Sequence, residues 1–220
     1  MRIIGTILFS IFIIFIFSCE TVEHHHVPKT ADEALKELIE GNKRYVNNAP
    51  IHHDFIDEAH HSEKDQHPHT FVLSCIDSRV PPEIVFDQGI GNLFVARVAG
   101  NIEDPNILGS MEYAVKVKGT KLLVVLGHSN CGAVQGAIDN VNLGHLTQLT
   151  NQIKVAFSHH RTYPLPEHLS DETGRLNVLS TIEHILSSSK IIRDLVHQKK
   201  IKIVGTFYDL HTGKVELLQS

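Results

Sequence analysis

The sequence has no strong charge of either sign: 20 Lys and Arg against 25 Asp and Glu leave a formal charge of −5. No nucleic-acid partner is therefore expected, since that would call for a basic patch. No internal repeat is present, and nothing marks a second domain. There is only one long apolar run, residues 3–17. It falls short of the roughly 20 residues that a membrane-spanning helix needs. Cysteine is scarce, with only Cys19, Cys75 and Cys131, and tryptophan is absent. The rest of the composition, 42% hydrophobic and 20% charged, fits one globular domain with a sizeable core. Histidine is the one residue in excess. There are 17, many clustered at His24–His26, His52–His53, His60–His61, His67, His69 and His159–His160.

The N-terminal run follows Arg2 and has the length of the apolar part of a secretory signal. Ile16-Phe17-Ser18-Cys19 then resembles a bacterial lipobox, although Phe17 is bulkier than that pattern favours. Residues 1–19 are accordingly expected to be a signal peptide of lipoprotein type, with Cys19 the lipidated residue and a lipid anchor its link to the membrane. An ordinary secretory signal and an uncleaved anchor are the alternatives. Each makes the body of the protein exported, to the periplasm or outer membrane of a Gram-negative host. Residues 20–29 read as a tether and residues 30–220 as one domain. With Cys19 so used, Cys75 and Cys131 remain, either as a disulfide or as two ligands of one metal.

Thr30 to Glu33 form a capping box that opens a helix. Residues 47–69 are polar, His-rich and non-periodic, and read as a surface segment. From residue 70 strands and helices alternate. TFVLSC, NLFVAR, KLLVVLG and IKIVGTFY are the strands. Helices are expected at PPEIVFD, after Asp104-Pro105, at CGAVQGAI, at LGHLTQLTNQIKVAF and over 173–198, with a break near Ser187–Ser189. Residues 158–172 read as a loop, and VELL as an antiparallel edge strand. The pattern predicts an α/β fold, a mostly parallel central sheet flanked by helices.

In such sheets ligands gather at the carboxyl ends of strands. Cys75 ends one strand, and His128 and Cys131 lie just past another, in GHSNCGAVQG. A His-x-x-Cys spacing lets both side chains face one centre. Two thiolates, an imidazole and an open fourth position describe a catalytic zinc site. Asp77 and Arg79 add a charge pair on the same edge, which in isolation would be a solvated ion pair of little energetic weight.

CIDSRVPPE resembles the Cys-x-Asp-Ser-Arg motif of the β-class carbonic anhydrases, and GHSNCGAV is similar to that family's Gly-His-x-x-Cys-Gly motif. EGNKRYV, FDQGIGNLFVARVAGNI, GSMEYAV and FYDLHTGKVELL follow the family's pattern in order, so the resemblance covers roughly residues 30–220. It implies one Zn²⁺ per chain, held by Cys75, His128 and Cys131. It also implies reversible hydration of carbon dioxide to bicarbonate and a proton, by attack of a zinc-bound hydroxide. Asp77 is then a switch: it can take the fourth zinc position, and Arg79 holds it away. Gln88 and Gly132 are the substrate-binding candidates, the first with its register shifted by one residue. A homodimer or tetramer is implied, with the helix near residues 31–48 embracing a partner. One subgroup carries an inhibitory bicarbonate site built on a tryptophan, an arginine and a tyrosine. Arg97 and Tyr208 match two of these, but Val72 stands where the tryptophan would be. Two other functions use the same scaffold: hydrolysis of carbon disulfide or carbonyl sulfide, and metal sequestration by the His-rich segments.

Overall fold

The computed structural model describes residues 27–157 and 169–218. The expected signal, Cys19, most of the tether, His24–His26, His159–His160 and most of the 158–172 loop lie outside the described residues. No described helix is long and apolar enough to cross a membrane.

The chain opens with α1 (Ala31–Val46) and α2 (Phe55–His61), then β1 (Thr70–Ser74), α3 (Pro82–Val85) and β2 (Leu93–Arg97). A single-turn 3₁₀ helix, Ala99–Asn101, leads to α4 (Pro105–Lys116) and β3 (Leu122–His128). There follow α5 (Gly132–Ile138), α6 (Gly144–Phe157), α7 (Leu169–Ser188), α8 (Lys190–His197), β4 (Lys202–Tyr208) and β5 (Val215–Leu218). The sheet order is β2-β1-β3-β4-β5. The first three pairings are parallel, and β5 runs antiparallel to β4 as the edge strand.

Every residue of β1 and β3 is buried, because both are central strands covered by helices on both faces. Side chains alternate between the faces as the pleat requires. Phe71, Leu73, Leu123 and Val125 join Met111, Val178, Ile185 and Ile192 on the side of α4, α7 and α8. Val72, Leu122, Val124 and Leu126 join Ala34, Leu38, Val85 and Phe86 on the side of α1 and α3.

The helix starts follow the expected chemistry. Thr30 accepts from the Glu33 amide at 3.2 Å, although the Glu33 carboxylate reaches Lys29 N–H rather than Thr30. Asp104 accepts from the amides of Asn106 and Ile107 at 2.8 and 2.9 Å, with Pro105 in the first turn. The expected break falls at Ser189, whose hydroxyl accepts from Ile192 N–H and so starts α8.

Three expectations need correction. Cys75 lies just past β1 rather than in it. The helix expected from residue 173 begins at Leu169. The segment 47–69 is not wholly a surface loop. It carries α2, started by Asp54, and it buries His69 and covers most of the His53 side chain. His53 sits between Glu58, 2.7 Å away, and Asp87, 3.7 Å away, and stacks on Phe55. These contacts fold the segment against the Asp87–Ile90 turn, where Glu58 also accepts from Ile90 N–H at 2.7 Å.

Candidate metal centre

The parallel register of β1 and β3 aligns Ser74 with Leu126. The chain beyond Ser74 and the end of β3 therefore emerge side by side. Cys75, His128 and Cys131 are all buried, and one ligating atom from each lies within 4.8 Å of the others. The two sulfurs are 3.9 Å apart and both thiols are free. A disulfide needs about 2.05 Å, so the disulfide alternative does not describe this pair.

His128 shows what the cluster lacks. Its Nδ1 lies 2.9 Å from the Ser129 carbonyl, so Nδ1 carries the proton and Nε2 presents a lone pair. That Nε2 is buried and has no hydrogen-bond partner among the described residues. A buried unpaired acceptor costs about 1–3 kcal/mol. The cost disappears if an ion takes the lone pair, and the donor set suits one: two thiolates and an imidazole match zinc.

The sulfurs are electrostatically prepared. The neighbouring Cys131 thiol, then the His128 imidazole, and to a lesser extent the Gly100 and Asp77 amides, draw Cys75 down to about 4 against the opposing effect of burial. Cys131 is pushed up, because it shares its proton with the Cys75 sulfur and is itself buried.

Asp77 and Arg79 are brought to the same place. Arg79 grips the carboxylate in a fork, Nε to Oδ1 at 2.9 Å and Nη2 to Oδ2 at 2.7 Å, and its backbone amide donates to Oδ1 at 2.9 Å. That grip holds Asp77 well below the usual carboxylate range. Asp77 Oδ2 is 3.9 Å from His128 Nε2. Arg79 also reaches the Asn130 carbonyl at 3.4 Å, which ties the two motif loops together.

Arg97 has a contact that its sequence position did not reveal. From the end of β2 its guanidinium donates to the carbonyls of Cys75 at 3.0 Å and Asp77 at 2.5 Å. Tyr208 pairs through its hydroxyl with Tyr45 at 3.0 Å, and Val72 is wholly buried in the sheet. Of the two positions matched to the inhibitory bicarbonate site, Arg97 thus lies beside Asp77 and Tyr208 is paired with Tyr45.

Gln88 is not brought to the cluster within this chain. It is buried at the amino end of β1, where its Oε1 faces His69 Nε2 at 3.1 Å and its amide donates to the carbonyls of Phe86 and Asp87. The five residues of β1, about 17 Å of strand, separate it from Cys75. Gly132 follows Cys131 and opens α5. A Cβ there would meet nothing within 4 Å, so any role belongs to its backbone amide rather than to its lack of a side chain.

Residues 70–215 match the family model described as carbonic anhydrase. The chain is 35% identical over 190 residues to Carbonic anhydrase 2 of Mycobacterium tuberculosis, covering 84% of this chain and 91% of that protein. It is 36% identical to the carbonic anhydrase of Mycolicibacterium smegmatis over the same shares. Among solved structures it is similar to one of the tetrameric β-carbonic anhydrases of Sordaria macrospora. That match has a TM-score of 0.67 and 27% identity, over 82% of this chain and 91% of that one. A Coccomyxa β-carbonic anhydrase in complex with acetazolamide matches with the same TM-score at 25% identity, over 84% and 86% of the two chains. With the fold, both motifs and these relatives in agreement, the chain belongs to the β-class carbonic anhydrases.

Proposed function

We propose that the protein hydrates carbon dioxide reversibly to bicarbonate and a proton, with one Zn²⁺ held by Cys75, His128 and Cys131. The observation that carries this reading is the buried, partnerless Nε2 of His128 facing two free thiols. A bound Zn²⁺ supplies Lewis acidity, which makes water acidic enough to act as a nucleophile near neutral pH.

The protein's own residues do the rest. Arg79 holds Asp77 in its fork and so keeps the carboxylate from turning toward the sulfurs and His128. Held there, Asp77 stays ionised and is placed to accept a hydrogen bond from water in the site. Arg97 fixes the carbonyls of Cys75 and Asp77, and with them the loop that carries both side chains. Ile102, Val134 and Ile153 pack with the two cysteines and form an apolar wall suited to an uncharged substrate. Gly132 N–H remains the substrate-binding candidate that the cluster supports; Gln88 is not one that this chain brings to its own cluster.

A stopped-flow hydration assay tests the reading. Activity should vanish when a chelator strips the metal and return with Zn²⁺, and the mass of the same sample in solution should be that of a homodimer or tetramer. A protein that stays fully active without metal would refute it. Export as a lipoprotein, a proposal carried by the sequence of residues 3–19 alone, has its own test. Cys19→Ala should abolish lipid labelling in a Gram-negative host, and unchanged labelling would refute it.

A further inference from the structure

Helix α7 touches the site at a point that neither motif contains. Asn177 is 2% exposed, and its Nδ2 donates to the Gly100 carbonyl at 2.7 Å. Gly100 in turn donates its own N–H to the Cys75 sulfur at 3.4 Å. One glycine thus links a buried amide on α7 to a metal-ligand candidate on the far side of the 3₁₀ turn. Only glycine serves there. Its φ is +73°, and a Cβ would lie 2.5 Å from Ile153 Cδ1. The left-handed turn aims two successive peptides in different directions, one at the sulfur and one at the helix. Among the described residues, the Asn177 amide is the side-chain donor to the Gly100 carbonyl.

We propose that Asn177 is a positioning residue for Cys75: by fixing the Gly100 carbonyl it fixes the Gly100 N–H on the sulfur, and so sets how firmly that thiolate holds its metal. The proposal rests on the reading of Cys75 as a zinc ligand. The physical reason is general. Hydrogen bonds to a ligand atom orient it and tune its basicity, and the groups that hold those donors govern affinity from outside the ligand set. An asparagine in the middle of a core-facing helix otherwise carries a desolvation cost with no return. Here the cost is met by one bond to a backbone carbonyl that the turn leaves open.

The test is zinc release from the full-length protein to a chromophoric chelator, with the absorption of the Co²⁺-substituted protein as a second readout. Asn177→Ala should release zinc about 10- to 100-fold faster and shift the sulfur-to-cobalt charge-transfer band. Val178→Ala, next to it in the core, should lose stability and leave both readouts at wild-type values. If Asn177→Ala does not fold, Asn177→Ser replaces it. Its hydroxyl is too short to reach the carbonyl, so the same acceleration is expected. Release within twofold of wild type in a folded Asn177 variant would overturn the proposal, as would an equal acceleration in Val178→Ala. Cys75→Ala separates this from the reading beneath it: undiminished zinc binding in that variant would remove Cys75 from the ligand set, whatever Asn177 does.

Discussion

The two ends of the central sheet each bury a histidine, and the two are finished differently. His69 precedes β1 at the amino end, and His128 closes β3 at the carboxyl end. His69 has both ring nitrogens engaged, Nδ1 with Thr70 Oγ1 at 2.8 Å and Nε2 with Gln88 Oε1 at 3.1 Å. His128 has only Nδ1 engaged, and its free nitrogen looks onto two thiols and a carboxylate. Burial, residue type and nearness to a strand end are the same for both. The difference is in the completed hydrogen-bond account: it is closed at His69, which belongs to the core, and open at His128, where the free nitrogen faces metal-binding groups.

The largest expected effect comes from exchanging the two fates. His128→Ala should lose most bound zinc and all measurable hydration, as should Cys75→Ala and Cys131→Ala. His69→Ala should keep zinc and rate while costing about 1–3 kcal/mol of stability for the buried partners it abandons. Metal analysis beside urea unfolding checks both halves. A His69 variant that loses its metal would break the comparison.

The next effect tests the carboxyl end alone. Arg79→Ala frees Asp77 to turn inward, and hydration should fall by about 10- to 100-fold while zinc content is retained. X-ray absorption should then show an added oxygen ligand from protein. Near wild-type rate with unchanged coordination would reduce the fork to an ordinary ion pair.

The smallest effect sharpens the amino end. Burial holds the His69 pKa below its ordinary value, with the Gln88 contact offsetting part of the shift. The unfolded chain therefore binds a proton near pH 6.5 that the folded chain still refuses. This residue's contribution is fully present above about pH 6.5 and is lost as the pH falls toward the folded value. In His69→Gln the acid-side slope of unfolding stability should flatten by up to one proton, measured by urea titration between about pH 5 and 7.5. A slope equal to wild type would mean that His69 titrates alike in both states.

How much of this the sequence disclosed follows from the same contrast. The carboxyl end was legible because TFVLS and LLVVLGH are continuous apolar runs that stop at small or polar residues, so their ends, and the cysteines and histidine there, could be placed. Asp77 and Arg79 lie two and four residues from Cys75 and share its loop. The amino end was not legible. His53 and His69 sit in a polar stretch that reads as solvent-facing, and part of what covers them, Asp87 and Gln88, comes from a turn that no local pattern connects to them. Asn177 was missed for a similar reason: one polar residue in a helix has no periodic signature, and its partner lies 77 positions away. Gln88 was assigned to the substrate by resemblance. Within this chain its neighbours are His69 and the Phe86 and Asp87 carbonyls.

The two sulfurs stand 56 positions apart in the chain and 3.9 Å apart in space. The strands that carry the ends of this loop are adjacent, yet an entire β-α unit is threaded between them. Bringing such distant positions together is an entropic loss that folding must meet before the contact returns anything. An ion shared by Cys75 and Cys131 closes that loop as a staple would, and it ties β1 to β3 at the point where both run out of hydrogen bonds. The centre would thereby also be a clasp: a cation held there for the proposed reaction would lock the topology as well.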